Sequence, residues 1–156
     1  MQERYFHPQD IERILAEVVN RFLIPNFREL GMNATGEWLE SLEVTTGINS
    51  GTIRGRDYSQ YLAKGRKPGQ RPPIAPLEKW VNAKFGISGT QAKSMAFAIA
   101  TKIAKEGTTW HQKGGTDLIE VLESVEVQEY ITGEMRGILQ VELSERMVRQ
   151  TQEILQ

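Results

Sequence analysis

From Pro8 to about Leu30 the apolar residues Ile11, Ile14, Leu15, Val18, Val19, Phe22 and Leu23 recur at three- and four-residue steps. Arg13, Glu17, Asn20 and Arg21 fall off that stripe, so the pattern predicts one amphipathic helix with a single core-facing side. Pro8 suits a first turn, where a missing N–H costs nothing. Pro25 is expected to kink or end the helix because it cannot donate to residue 21, and Gly31 is a natural stop.

The period changes after Leu42. Glu43 to Arg56 is rich in β-branched residues and is broken by Asn49-Ser50-Gly51, which predicts a β-hairpin with its turn near residues 49–51. Asp57 to Lys64 fits either a strand or one helical turn. Gly65-Arg-Lys-Pro-Gly-Gln-Arg-Pro-Pro is loop, because its prolines and glycines leave no regular ladder. Ile74 to Phe85 reads as a short helix with Leu77, Trp80, Val81 and Phe85 on one side, Pro76 in its first turn and Gly86 at its end. A second helix follows from a Ser88 or Thr90 cap to Glu106, with Met95, Ile99 and Ile103 flanked by Ala92, Ala96 and Ala100, and Gly107 stops it. The alanines either reflect helix propensity or let another backbone approach closely. Thr108 to Gly115 is a polar connection, and the remainder is a mainly helical tail. Gly133 and Gly137 weaken that tail, and residues 137–143 also alternate as a strand would.

The chain has 156 residues, 39% hydrophobic and 25% charged, which suits one globular fold with a real core. Cysteine is absent, which excludes disulfides, thiolate metal sites and a cysteine nucleophile. No apolar stretch approaches the ~20 residues that span a bilayer, and Met1 to His7 lacks the apolar core of a secretory signal. Assembly in a cytoplasm is the expectation. Net charge is −1, but its distribution is uneven: residues 51–105 carry eleven basic residues against Asp57 and Glu78, whereas 117–156 carry nine acids against three arginines. A basic middle and an acidic end can lie side by side in one fold or meet across a boundary between identical copies.

Candidate chemistry is sparse. His7 precedes the first helix, where capping or solvent exposure accounts for it. His111 stands in a loop, where Asp117 is the partner that could orient it towards a nearby Thr or Ser, but no triad context surrounds it. No His or Cys pair at metal-ligand spacing occurs. Asp117, Glu120, Glu123, Glu126 and Glu129 are spaced by three, which drifts around a helix and suits a solvated stripe better than a cation cage. The loop at 65–73 lacks the Gly-Lys-Ser/Thr ending of a phosphate-binding loop, although its cations, with Tyr58, Tyr61 and Trp80 nearby, could meet phosphates or single-stranded bases.

Four segments in order carry a likeness. Thr35 to Leu42 leads into the hairpin; Tyr58-Ser-Gln-Tyr61-Leu-Ala-Lys-Gly65 leads into the proline-rich loop through Pro73; Ile74 to Val81 follows; then comes Lys102-Ile-Ala-Lys-Glu-Gly107-Thr108. Over about residues 8–110 this arrangement resembles the tail-completion or neck proteins that join head to tail in tailed bacteriophages. In many of that family a final strand closes the chain soon after the helices, whereas here some forty residues follow Gly115. The resemblance implies a non-enzymatic virion part without cofactor or metal, assembled in a bacterial cytoplasm. It implies a homo-oligomeric ring, a hexamer favoured, around the DNA channel, bound to adjacent connector and tail proteins.

The expected fold is α+β: a long N-terminal helix, a small antiparallel β-hairpin sheet, two central helices and a mainly helical C-terminal extension. Residues 1–116 form the tail-completion-like domain and 117–156 an extension packed on it. Lys64, Arg66, Lys67 and Arg71 are the expected docking or channel-facing residues. Trp38, Tyr58, Tyr61 and Trp80 are assigned to packing between hairpin and helices, with interface use secondary. Two alternatives stand beside this: a nucleic-acid-binding accessory protein using the basic loop 64–71, and a minor capsid or tail-tube component.

Overall fold

The computed structural model describes residues 5–32 and 36–154. Thr35, which opens the segment before the hairpin, lies outside the described residues. The fold is α+β, a helical protein with one two-stranded antiparallel sheet. Its residues group into two compact units: Met1–Leu23, Glu43–Arg54 and Glu120–Gln156 in the first, Ile24–Leu42 and Gly55–Ile119 in the second.

The first unit begins with α1 (Pro8–Val18), which has Pro8 at its start and buries Ile14 and Val18. A π-helical turn, Val19–Leu23, follows. Pro25 has no N–H, so the Arg21 carbonyl lacks its usual i+4 donor, and the wider turn arises where that ladder is broken. Strands β1 (Glu43–Gly47) and β2 (Ser50–Arg54) pair from Glu43 opposite Arg54 to Gly47 opposite Ser50. The turn is therefore Ile48–Asn49, one step earlier than the Asn-Ser-Gly run suggested.

Asn49 adopts the left-handed conformation at φ 52°, which its short polar side chain tolerates. That side chain accepts hydrogen bonds from the backbone N–H of Tyr5 (2.9 Å) and Phe6 (3.2 Å). Gly51 has a different use from turning the chain. It lies within β2 opposite Thr46, and a Cβ there would lie 2.5 Å from Leu15 and 2.6 Å from Ile11. Its bare backbone is what lets the apolar face of α1 seat on the hairpin, which a two-stranded sheet needs because it is marginal alone.

A 3-10 turn, Glu120–Glu123, leads to Ser124, whose hydroxyl accepts from the Val127 N–H at 3.3 Å and opens helix α8 (Val125–Ile154). Residues 137–143 are helical, so of the two readings of that segment the helical one holds. Val127 is buried, Tyr130 packs on Phe22 at 5.9 Å, and the Arg21 guanidinium lies over both rings. Arg13 of α1 pairs with Glu134 of α8 at 2.8 Å.

In the second unit, α2 (Ile24–Glu29) ends in a Schellman motif. Gly31, at φ 66°, donates to the Arg28 carbonyl and Met32 to the Phe27 carbonyl. Phe27 stacks on Trp38 of α3 (Glu37–Glu40) at 4.8 Å. Residues 59–64 form helix α4 (Ser59–Lys64) rather than a strand. Helix α5 (Ile74–Phe85) ends at Gly86 in the left-handed conformation, and α6 (Gly89–Glu106) ends at Gly107. Val81 with Ala92 and Ala96 makes the core between them, wrapped by Ile74, Leu77, Trp80, Ile87, Met95 and Ile99. Ala92, Ala96 and Ala100 are buried to 1% exposure or less, so the alanine stripe serves close approach of α5, not propensity alone. Among the described residues no helix is long and apolar enough to cross a membrane.

Candidate functional site

The basic loop belongs to the second unit and spans Gly65 to Pro73, between α4 and α5. Its path is held by backbone bonds. Arg66 and Thr108 form a reciprocal pair: the Arg66 N–H donates to the Thr108 hydroxyl and the Thr108 N–H to the Arg66 carbonyl, both at 2.9 Å. Gly69 N–H then donates to the Ala104 carbonyl at 2.9 Å. The last turn of α6 has carbonyls with no partner inside the helix, and the loop supplies a donor to one of them. Gln112 Nε2 supplies another, to the Glu106 carbonyl at 3.0 Å. The loop backbone therefore passes the negative end of α6.

Two glycines make this approach feasible. Gly65 (φ 73°, ψ −177°) and Gly107 (φ 77°, ψ −178°) occupy a backbone region that side chains exclude. A Cβ on Gly65 would stand 2.5 Å from both the His111 nitrogen and the Thr108 hydroxyl, and one on Gly107 would stand 2.8 Å from the Arg66 carbonyl. From below, helix α7 (Thr109–Gln112) braces α4: Trp110 Nε1 donates to the Tyr61 carbonyl at 3.1 Å, and Thr116 N–H to the Ala63 carbonyl at 2.7 Å.

The side chains do the opposite of the backbone and turn outward. Lys64, Lys67 and Arg71 are exposed and Arg66 is half-buried. The Arg66 guanidinium lies 5.4 Å over the Tyr61 ring, and that of Arg71 lies 4.5 Å over Phe97 on the outer side of α6. Contacts of this kind at exposed sites contribute ~0.5–1 kcal/mol, enough to bias orientation without neutralising charge. From Ala104 to Phe97 the loop follows α6 backwards for about 10 Å at 1.5 Å per residue. Lys93, Lys102 and Lys105 of α6 are exposed as well. Among the described residues no ion pair involves Lys64, Arg66, Lys67 or Arg71.

Of the four aromatics expected to pack, Trp38 and Trp80 have ring partners, Phe27 and Phe85, both on helices. Trp38 is 5% exposed, and its Nε1 donates to the Ser59 hydroxyl at 2.8 Å. Trp80 meets Phe85 edge-on at 5.6 Å, with Lys84 over its ring. Tyr58 is half-buried, which raises its phenol pKa, a shift opposed by Arg56 and aided by Glu37. Tyr61 is 45% exposed and serves the loop through its face and its carbonyl.

His7 is exposed, with Nε2 3.7 Å from Glu142. His111 is a wedge between Gly65 and Gly107, and its N–H meets the Thr108 hydroxyl at 3.4 Å. Asp117 uses its carbonyl, accepting from Asn26 Nδ2 at 3.1 Å. Asp117, Glu120, Glu123, Glu126 and Glu129 are all exposed, and among the described residues no group of three or more His, Cys, Asp or Glu converges as a metal site would require. The parts that reading the sequence missed are Phe97, Trp110 and the anchoring role of Gly107-Thr108; a Gly-Thr pair immediately after a helix was the available signal.

The division into units also sorts charge. The second unit carries twelve basic against seven acidic residues, and the first carries seven basic against thirteen acidic. No family model, curated protein or solved structure matches the chain.

Proposed function

We propose that this chain is a structural protein of a tailed-bacteriophage virion, a neck or tail-completion component that forms a ring joining the DNA-filled head to the tail. The observation that carries the reading is the loop 64–73. Its backbone is pinned to the end of α6 while its cations project without carboxylate partners, the form of a docking element kept rigid until it meets an acidic surface. The order of motifs along residues 8–110 supports the same assignment. A ring of identical subunits needs one surface of a subunit to suit a different surface of its neighbour, and units of opposite net charge meet that requirement.

A second reading has its own support. Cations stacked on exposed aromatic rings, Arg66 on Tyr61 and Arg71 on Phe97, also suit phosphates and bases. Light scattering of the purified protein at several concentrations and two salt levels, with and without a DNA duplex, separates them. A defined ring or a monomer indifferent to DNA supports the joining role. Tight binding to DNA that falls steeply with salt, through counterion release, supports the nucleic-acid role instead. In particles, reversing Arg66, Lys67 and Arg71 to glutamate leaves the fold intact and blocks joining of filled heads to tails; normal joining rejects the role.

A further inference from the structure

The face of the first unit where α1 meets α8 holds an open cleft of about 400 Å³, lined by Asp10, Arg13, Gly133, Glu134, Gly137, Ile138, Val141 and Glu142. Three carboxylates line it with the Arg13 guanidinium, which Glu134 engages at 2.8 Å; Glu142 has Arg146 Nε at 3.9 Å and His7 Nε2 at 3.7 Å, and Asp10 has no ion pair among the described residues. The floor is bare. A Cβ on Gly133 or Gly137 would meet nothing within 4 Å, so neither glycine is there to admit another part of this chain. Neither has a positive φ, so neither is needed for a turn. Glycine inside a helix costs ~1 kcal/mol relative to alanine, and α8 carries two, one turn apart, on the side that opens into the cleft. Ile138 and Val141 give the cleft an apolar wall.

We propose that this cleft receives the basic loop 64–71 of a second copy of the chain. The inference rests on the joining role above and names the surface through which the ring would close. The loop has the matching chemistry. Lys64, Lys67 and Arg71 are exposed cations with no carboxylate partner among the described residues, and Pro68-Gly69 between them is exposed and adds little side-chain bulk. Long cationic side chains lay their aliphatic stems on apolar surface while the charged heads reach carboxylates, which is what Ile138 and Val141 beside Asp10 and Glu142 offer. The volume is at the low end of the ~300–1,000 Å³ of ligand sites, enough for a loop tip with its side chains and too little for a folded element. Donor and acceptor surfaces are different parts of one chain, so a contact repeated head to tail closes into a ring where the rotation between copies allows it.

The test is sedimentation velocity of the full-length protein over a range of concentrations at low and physiological salt. A cleft variant, Asp10→Lys with Glu142→Lys, leaves the Arg13–Glu134 pair in place; a loop variant, Lys67→Glu with Arg71→Glu, leaves the backbone anchors in place. The wild type is expected to associate with rising concentration, each variant alone to lose association at least tenfold, and their equimolar mixture to recover it, since every contact in the mixture again pairs opposite charges. Gly137→Leu, which fills the cleft without changing charge, is expected to keep its circular dichroism and lose association.

A wild type that stays monomeric at every concentration, variants that associate normally, or a mixture that does not recover overturns the proposal. A mixture that fails while the wild type still forms a ring and heads and tails need it for joining removes the cleft and leaves the joining role. Recovered pairing in a protein that heads and tails join without removes the joining role and leaves the cleft.

Discussion

Replacing Gly107 with alanine tests the anchoring of the basic loop directly. At φ 77° and ψ −178° the residue occupies a region that only glycine populates freely, and holding alanine there costs about 1–3 kcal/mol. The new Cβ would lie 2.8 Å from the Arg66 carbonyl and 3.1 Å from Pro68 Cδ, so the loop must move away. That carbonyl accepts the Thr108 N–H at 2.9 Å, and losing one such bond adds about 0.5–1.5 kcal/mol. The expected loss is about 2–4 kcal/mol, which at about 1–3 kcal/mol per molar urea lowers the unfolding midpoint by about 1 M or more.

Trp38, Trp80 and Trp110 all belong to the second unit, so tryptophan fluorescence reports the unit in which the substitution sits. The Thr108 amide should also exchange faster with solvent. Gly137→Ala is the control: inside α8, with nothing within 4 Å of its Cβ, alanine should stabilise by up to ~1 kcal/mol, read by circular dichroism. A Gly107→Ala midpoint equal to that of the wild type, or a Gly137→Ala variant that loses as much, refutes the reasoning.

Ala96 is completely buried between α5 and α6, so Ala96→Leu must push the helices apart; a loss of about 1–3 kcal/mol by urea unfolding is expected, and unchanged stability would mean the helices are not in close contact. Tyr58 provides a pH prediction. Burial raises its phenol pKa in the folded state, so the associated stability is present below the unfolded value of about 10 and is lost as pH rises through the higher folded value. Between about pH 9 and 11, Tyr58→Phe should lose less stability than the wild type, and the difference between ultraviolet titrations of the two proteins should place the Tyr58 ionisation above pH ~10. Parallel stability curves for the two proteins would contradict this.

Local signals in the chain were sufficient for most elements. Three- and four-residue spacing marked α1, α5 and α6, because burial of one helical face requires it, and Gly31, Gly86 and Gly107 marked the ends because the left-handed or extended positive-φ conformations there exclude a Cβ. A run of β-branched residues broken by Asn49-Ser50-Gly51 marked the hairpin. Where two local readings were balanced, packing decided: Ser59–Lys64 became helix, with its Ser59 hydroxyl taken by Trp38, and 137–143 continued α8 although its glycines weaken a helix. Gly51 misled the placement of the turn because its glycine answers to Ile11 and Leu15, forty and thirty-six positions away in sequence, and not to the neighbouring residues.

The candidate site divided in the same way. Its cations were legible as a run of Lys and Arg between prolines, since charge is a property of each residue alone. Only the tertiary structure decided that Arg66 would be tied to Thr108, that Arg71 would lie over Phe97, and that Asp10 and Glu142 would line a cleft floored by Gly133 and Gly137. These are meetings of residues distant in the chain, fixed by which apolar faces bury against one another, and no local pattern encodes them.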